Sequence, residues 1–232
     1  MGGLLPSWNA YSDKRITEPA DAAKLWEEIR KRERIPITGD IWLDDPLMSS
    51  YPPSIAFKAA QRQDKDKAVL FLRRLKEMLF MEKKNINKWE NLETAALFCG
   101  LDAAVLEKQM SHEGHIDFQN DLKLAKSKNI KAFPTLIFNL QGVEKETLVG
   151  IKSYETIVNT VLTLIPEANK NTNLPKPNEL FKLFNTMTEN EFSFFLNLDQ
   201  PQASAELNKL QNDGIIVRSS LKEVDYWQLR KD

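Results

Sequence analysis

The sequence predicts an α/β chain in which a large helical block precedes a short antiparallel hairpin, with a small module at the C-terminal end. Three observations carry that prediction. Residues 17–130 keep helical periodicity almost throughout, with apolar positions three and four apart. Residues 131–139 (KAFPTLIFN) then break the pattern. There an X–Pro bond, Phe133–Pro134, opens a β-leaning run of Leu136, Ile137 and Phe138. Beyond residue 177, three short helical patterns are followed by two β-type stretches.

Taken in order, residues 1–16 read as irregular, with Gly2, Gly3, Pro6 and Trp8. Thr17 is expected to cap a helix that has Pro19 near its first position and runs to about Arg34. Ala22, Ala23, Trp26 and Ile29 share one stripe of it, and Glu27, Glu28, Arg30 and Lys31 form a solvated face. Residues 35–53 carry four of the eleven prolines (Pro36, Pro46, Pro52, Pro53) and Gly39 at close intervals and read as loop, with Trp42 and Tyr51 packing over a cleft or core. Helices follow over 53–63 and 64–82, the second with Ala68, Leu72, Leu75 and Leu79 inward. Shorter ones cover 92–98, 103–110 and 117–128.

Proline suits the first residue of a strand, where no ladder donor is needed, so the run after Pro134 reads as a strand. Gln141 and Gly142 make the turn, residues 147–149 the partner strand, Gly150 the end, and residues 153–165 an amphipathic helix. Residues 166–177 (PEANKNTNLPKP) fit a linker. Helices are then expected over 179–185, 189–196 with Thr188 as cap, and 202–212, stopped by Gly214. Strands over 215–218 and 226–229 complete a winged-helix-like module. The expected division is therefore 1–165, a linker over 166–177, and 178–232, with 17–130 a helical insertion ahead of the hairpin at 131–150.

Composition narrows the function. A chain of 232 residues accommodates one large domain or two small ones. Its net charge of −1, with well-mixed charges, gives no field that would attract nucleic acid or an anionic membrane. No apolar run approaches the roughly 18 residues of a membrane span. The start, MGGLLPSW, lacks a secretion signal, and Pro6 stands where a myristoylation signal needs Ser or Thr. A cytoplasmic protein is the expectation. The single cysteine, Cys99, leaves no CxxC pair, disulfide or cysteine zinc site within these residues.

Four stretches carry a family resemblance: GGLLP (2–6), DPLMSSYPPSIAFKAA (45–60), FLRRLKEMLFMEKKNI (71–86) and AKSKNIKAFPTLIF (125–138). In these, and in their order, the chain resembles the DsbA-like branch of the thioredoxin superfamily, in particular its intracellular two-cysteine, FrnE-like members. The resemblance spans about residues 2–165, and the C-terminal module resembles an appendage of some bacterial relatives. It implies a thioredoxin fold with a helical insertion, a cis Phe133–Pro134 bond facing redox cysteines, and thiol–disulfide oxidoreductase or protein disulfide isomerase activity. It also implies a substrate groove at Phe133, Pro134 and Thr135, walled by Trp42 and Tyr51, where the Phe133 backbone pairs with an extended chain.

In that family a strand and a CxxC helix precede GGLLP. The chain is therefore expected to be a late-started, incomplete thioredoxin-like fold with no catalytic residue of its own and no exchange activity. Its uncovered strand edge at 136–138 is expected to favour self-association. Some cytoplasmic DsbA-like proteins deliver partners to a protease, so the alternative is a non-enzymatic adaptor that docks a protein or peptide. No cofactor or metal is expected in either case.

The remaining chemistry is weak. Cys99 lies in an apolar stripe with Ala95, Ala96 and Phe98, where a free thiol is an inert, buried small hydrophobe. His112 and His115 form H-x-x-H rather than a zinc helix, and Gly114 between them favours a surface loop. Asp44, Asp45, Glu27 and Glu28 read as solvated or capping carboxylates. Residues 170–232 hold eight Lys and Arg against nine Asp and Glu, which argues against DNA binding by the module. A docking surface suits it better, with Phe184, Phe192, Phe194 and Phe195 filling its own core.

Overall fold

A computed structural model describes residues 5–10, 16–169 and 173–230. Gly2, Gly3 and Leu4 of the first family stretch lie outside them. The described residues cluster into two compact units, one of residues 5–115 with 174–230 and one of residues 116–173.

In the first unit the helical block consists of α1 (Pro19–Glu33), α2 (Ile41–Asp44), α3 (Tyr51–Gln63), α4 (Lys65–Phe80), α5 (Trp89–Phe98) and α6 (Ala103–Met110), followed by the start of α7 (Glu113–Ser127). Small residues set how closely these helices approach. Ala56, Ala59 and Ala60 of α3 and Ala68 of α4 are all fully buried, so backbones rather than long side chains meet at the seam. Phe71, Leu75 and Met78 of α4, Leu92 of α5 and Leu106 of α6 fill the space around it. Burying each such side chain is worth about 1.5–3 kcal/mol.

Several local expectations shift. Glu18, not Thr17, occupies the N-cap of α1 without a side-chain bond. Thr17 instead donates its N–H and hydroxyl to Asp21 Oδ2, both at 3.0 Å. The loop over 35–53 contains α2, one turn placed by Gly39, whose carbonyl accepts from Trp42 N–H at 3.1 Å. A Cβ on Gly39 would lie 2.3 Å from the Ala23 carbonyl oxygen, so glycine lets this turn lie directly on α1. The region of His112 and His115 is helical from Glu113 onward rather than loop. Gly114 is there because a Cβ would meet Ala59 Cβ at 3.0 Å, a packing need that outweighs its poor helix propensity.

The C-terminal part comprises α9 (Pro177–Leu183), β3 (Thr186–Met187), α10 (Glu189–Leu196), α11 (Gln200–Asn212), β4 (Ile216–Leu221) and β5 (Val224–Leu229), with sheet order β3-β5-β4. α10 has the expected Thr188 cap in a full capping box with Glu191, and Gly214 lies in the left-handed region at φ 73°. Its core is Leu180, Phe181, Met187, Phe192, Leu207, Leu210 and Trp227.

This part is ionically tied to the helical block. The β4–β5 loop is Lys222–Glu223, both at positive φ (45° and 68°), between the paired residues Leu221 and Val224. That is a two-residue mirror-image turn built without glycine. Lys222 Nζ reaches Glu27 Oε1 at 2.9 Å and Asp40 Oδ1 at 2.7 Å, while its carbonyl accepts from Arg30 Nη1 at 2.8 Å. Glu27, expected on a solvated face, therefore serves as an anchor. Burial alone would raise its pKa, but Lys222, the Gly39 N–H and Arg30 bring it down to about 2. The Lys222 hydrogen bond likewise holds Asp40 at about 2, against burial.

In the second unit, residues from Ile116 of α7 are followed by β1 (Thr135–Leu140), β2 (Val143–Val149) and α8 (Tyr154–Leu164). β1 and β2 pair antiparallel from Thr135↔Val149 to Leu140↔Val143, with an irregularity at Phe138/Asn139. Gln141 and Gly142 make the turn at φ 52° and 79°. Ser153 caps α8 by accepting from Thr156 N–H at 3.1 Å.

Two outcomes are expected. Lys222→Ala lowers stability at pH 7 by about 1 kcal/mol, discounted for the partial exposure of the pair. Because the folded carboxylate pKa values lie below the ordinary range near 4, the contribution is full above it and fades as pH falls toward about 2. Urea titrations should therefore show the gap between the two proteins closing from pH 5 to pH 2. Gly39→Ala should cost about 1–3 kcal/mol by the same measurement, since backbone opposes the added methyl.

Candidate functional site

The Phe133–Pro134 bond is cis. Phe133 follows an exposed stretch and is itself 48% exposed. The Pro134 carbonyl accepts from Gly150 N–H at 2.8 Å, and Thr135 Oγ1 donates to the Ala132 carbonyl at 2.7 Å, so both ends of the segment are held. Among the described residues β1 pairs only with β2, so no second described strand covers its other edge.

Trp42 and Tyr51 belong to the other unit. Trp42 is buried among aromatic rings, 5.9 Å from Trp26 and stacked on Phe80 at 5.5 Å. Tyr51 opens α3, half-buried, with its N–H donated to Ser49 Oγ at 3.1 Å.

Cys99 caps the end of α5 and is half-buried rather than buried. Burial pushes its thiol up to about 11, with Arg74 acting against the shift. A nucleophilic redox thiol needs the opposite, a lowered pKa. His112 Nδ1 sits 3.0 Å from the Lys108 carbonyl. Among the described residues, no group of three or more His, Cys, Asp or Glu could hold a metal ion, and no helix is long and apolar enough to cross a membrane.

A feature not anticipated from sequence lies where α4 meets β3 and α10. Glu77 is only 7% exposed, one of the buried residues of α4 alongside Leu75, Met78 and Leu79. Thr186 Oγ1 donates to it at 2.6 Å, and Arg74 Nη1 at 3.2 Å. Arg73 bonds the Thr186 carbonyl and reaches Glu191 Oε1 at 2.9 Å. Glu191 is consequently depressed below the usual carboxylate range despite its burial, which opposes the shift. An acidic residue inside an apolar stripe was the available signal for this network.

The four phenylalanines of the C-terminal part separate. Phe192 is fully buried, as expected. Phe194 and Phe195 are not core residues: they stand 69% and 36% exposed, because a helix as short as α10 can bury only one face. Phe184 stacks on Phe195 at 5.3 Å, and Phe194 meets Phe195 edge-on at 6.2 Å. This gives a solvent-facing aromatic ridge.

Comparison with known proteins supports the fold. Similar proteins include one from Halalkalibacterium halodurans, 28% identical, the match covering 98% of this chain and 76% of that one. Others come from Bacillus subtilis (27%, covering 89% and 71%) and Bacillus cereus (26%, covering 97% and 77%). All three carry the name ClpXP adapter protein SpxH. The family profile described as thioredoxin matches residues 1–159. With most of its length inside that match, and with the cis proline, hairpin and helical insertion in place, the chain belongs to the thioredoxin family.

Proposed function

We propose that the protein is a non-enzymatic adaptor of thioredoxin-like fold that docks a protein partner and presents it to the ClpXP protease. The similarity to proteins named as ClpXP adapters carries this reading. The same names lend no support to the thiol–disulfide oxidoreductase or isomerase reading, nor does the environment of Cys99, whose thiol is pushed up to about 11. The DsbA-like, FrnE-like branch is the nearest description of the fold on its sequence motifs. A cytoplasmic location suits such a role.

On this reading Phe133, Pro134 and Thr135, with the open edge of β1, take an extended segment of a partner or of a second copy, by backbone pairing. Tyr51 and Trp42 belong to the other unit, where Trp42 serves through packing on Phe80. The parts are then a fold of residues 1–165, a linker at 166–177 and a module at 178–232, the module serving in docking rather than in contact with nucleic acid.

The decisive experiment is genetic. In the source organism, proteome half-lives after a translation block are compared among wild type, a strain lacking this gene, one lacking ClpX, and one lacking both. A set of proteins should be stabilised in both single deletions and no further in the double. No shared set would overturn the adaptor reading. Complementation with Cys99→Ser should restore turnover fully, whereas a thiol-based role would require the cysteine. In the dithiothreitol reduction of insulin, the purified chain should leave the rate unchanged. Acceleration that disappears in Cys99→Ser would return the oxidoreductase reading.

A further inference from the structure

The helical block and the C-terminal part belong to one unit, yet among the described residues their apolar cores share no member. Where apolar side chains of the two face one another, they line a void. A cavity of about 340 Å³ takes Leu70, Phe98 and Cys99 from the block and Leu183, Phe184 and Leu229 from the C-terminal part. A second, of about 520 Å³, opens between Arg34 of the block and residues at the β4–β5 turn, Glu223 and Val224 among them. A seam hollowed in this way gains little from dispersion or apolar burial.

The bonds that the described residues make across this seam are polar and fall in two places. One is Lys222 with Glu27, Asp40 and Arg30; the other is Arg73 and Glu77 with Thr186 and Glu191. Nearly every charged group of these ties also has a partner on its own side. Glu27 accepts from Arg30 Nε at 3.0 Å, Asp40 pairs with Lys83 Nζ at 3.1 Å, and Glu77 accepts from Arg74 Nη1 at 3.2 Å. Glu191 accepts the Thr188 N–H at 2.9 Å, and Arg73 Nε lies 3.5 Å from Glu77 Oε1. Lys222 alone has both its carboxylates across the seam, and its partly exposed ammonium returns to water when they part. Separation therefore strands no buried charge, which is what usually makes breaking an ion pair costly.

We propose that the C-terminal part is a releasable lid on the helical block, latched by Lys222, which parts from the block as a folded body. Release uncovers Glu27 and Asp40 and opens the space between Phe98 and Leu183. The backbone joining the two runs through residues 116–173 of the other unit, so no short covalent link opposes the motion. Salt screens partly exposed ion pairs and so favours the released state. The device belongs to the chain itself and does not rest on the adaptor reading.

The test attaches spin labels through Lys24→Cys on α1 and Lys209→Cys on α11, both exposed, in the full chain carrying Cys99→Ser. Pulsed dipolar spectroscopy in about 0.05 M NaCl should give one dominant, narrow distance. In about 1 M NaCl, or with Lys222→Glu at the lower salt, a longer-distance population should rise about fivefold or more. Hydrogen–deuterium exchange in α4, α11 and β5 should stay as slow as before, because each part keeps its own core. A distance unchanged in either condition overturns the lid. So does a longer distance accompanied by fast exchange in α11 and β5, which is unfolding of the C-terminal part rather than its release. The salt comparison keeps Lys222 in place and so does not depend on how Lys222→Glu folds.

Discussion

The carboxylate of Glu77 is the group on which the arrangement of the first unit depends. An ionised side chain with 7% exposure is costly to bury unless every lone pair is met. Here one oxygen takes the Thr186 hydroxyl at 2.6 Å and the other the Arg74 guanidinium at 3.2 Å. Thr186 is the first residue of the two-residue strand β3, so satisfying Glu77 fixes where that strand begins. β3 in turn pairs with β5, Thr186 with Gln228 and Met187 with Trp227. One carboxylate on a helix thus sets the register of a sheet more than a hundred residues away in sequence.

A second tie works at the opposite end of that sheet. The Lys222–Glu223 turn holds two non-glycine residues in the left-handed region, a conformation that costs of order 1 kcal/mol per residue for side chains of this kind. Such a turn persists when its surroundings over-determine it. Glu27, Asp40 and Arg30 do so, the first two through the Lys222 ammonium and the third through its carbonyl. With Glu77 at one end and Lys222 at the other, the three-stranded sheet is anchored on α4 and α1 by ions rather than by a shared apolar core. The two buried clusters accordingly remain distinct.

What the sequence revealed follows the range of the interaction. Elements set by local chemistry are legible: α6 over Ala103–Met110 from its periodicity, α10 from the Thr188 cap, and the Gln141–Gly142 turn from its composition. Elements that owe their form to a distant neighbour are not. The turn α2 exists because Gly39 can lie on the Ala23 backbone, and α7 starts early because Gly114 fits against Ala59. The same distinction governs the site residues. Phe133 and Pro134 stand out as an X–Pro pair before a strand, whereas the partners of Glu77 and Lys222 come from remote parts of the chain. Trp42 shows the remaining ambiguity. A tryptophan in a proline-rich loop is equally at home over a cleft or in a core, and only its stacking on Phe80 places it.

The exposed phenylalanines follow from the length of α10. Eight residues make little more than two turns, enough to direct Phe192 and Leu196 inward but not the adjacent Phe194 and Phe195. Phe195 is held by stacking on Phe184 at 5.3 Å, and the Phe184 ring in turn lies under the Arg73 guanidinium at 5.1 Å. The Cys99 thiol lines the same groove as Phe98 and Arg74. Its raised pKa keeps it protonated and apolar in character, so it contributes wall rather than reactivity to the groove it lines.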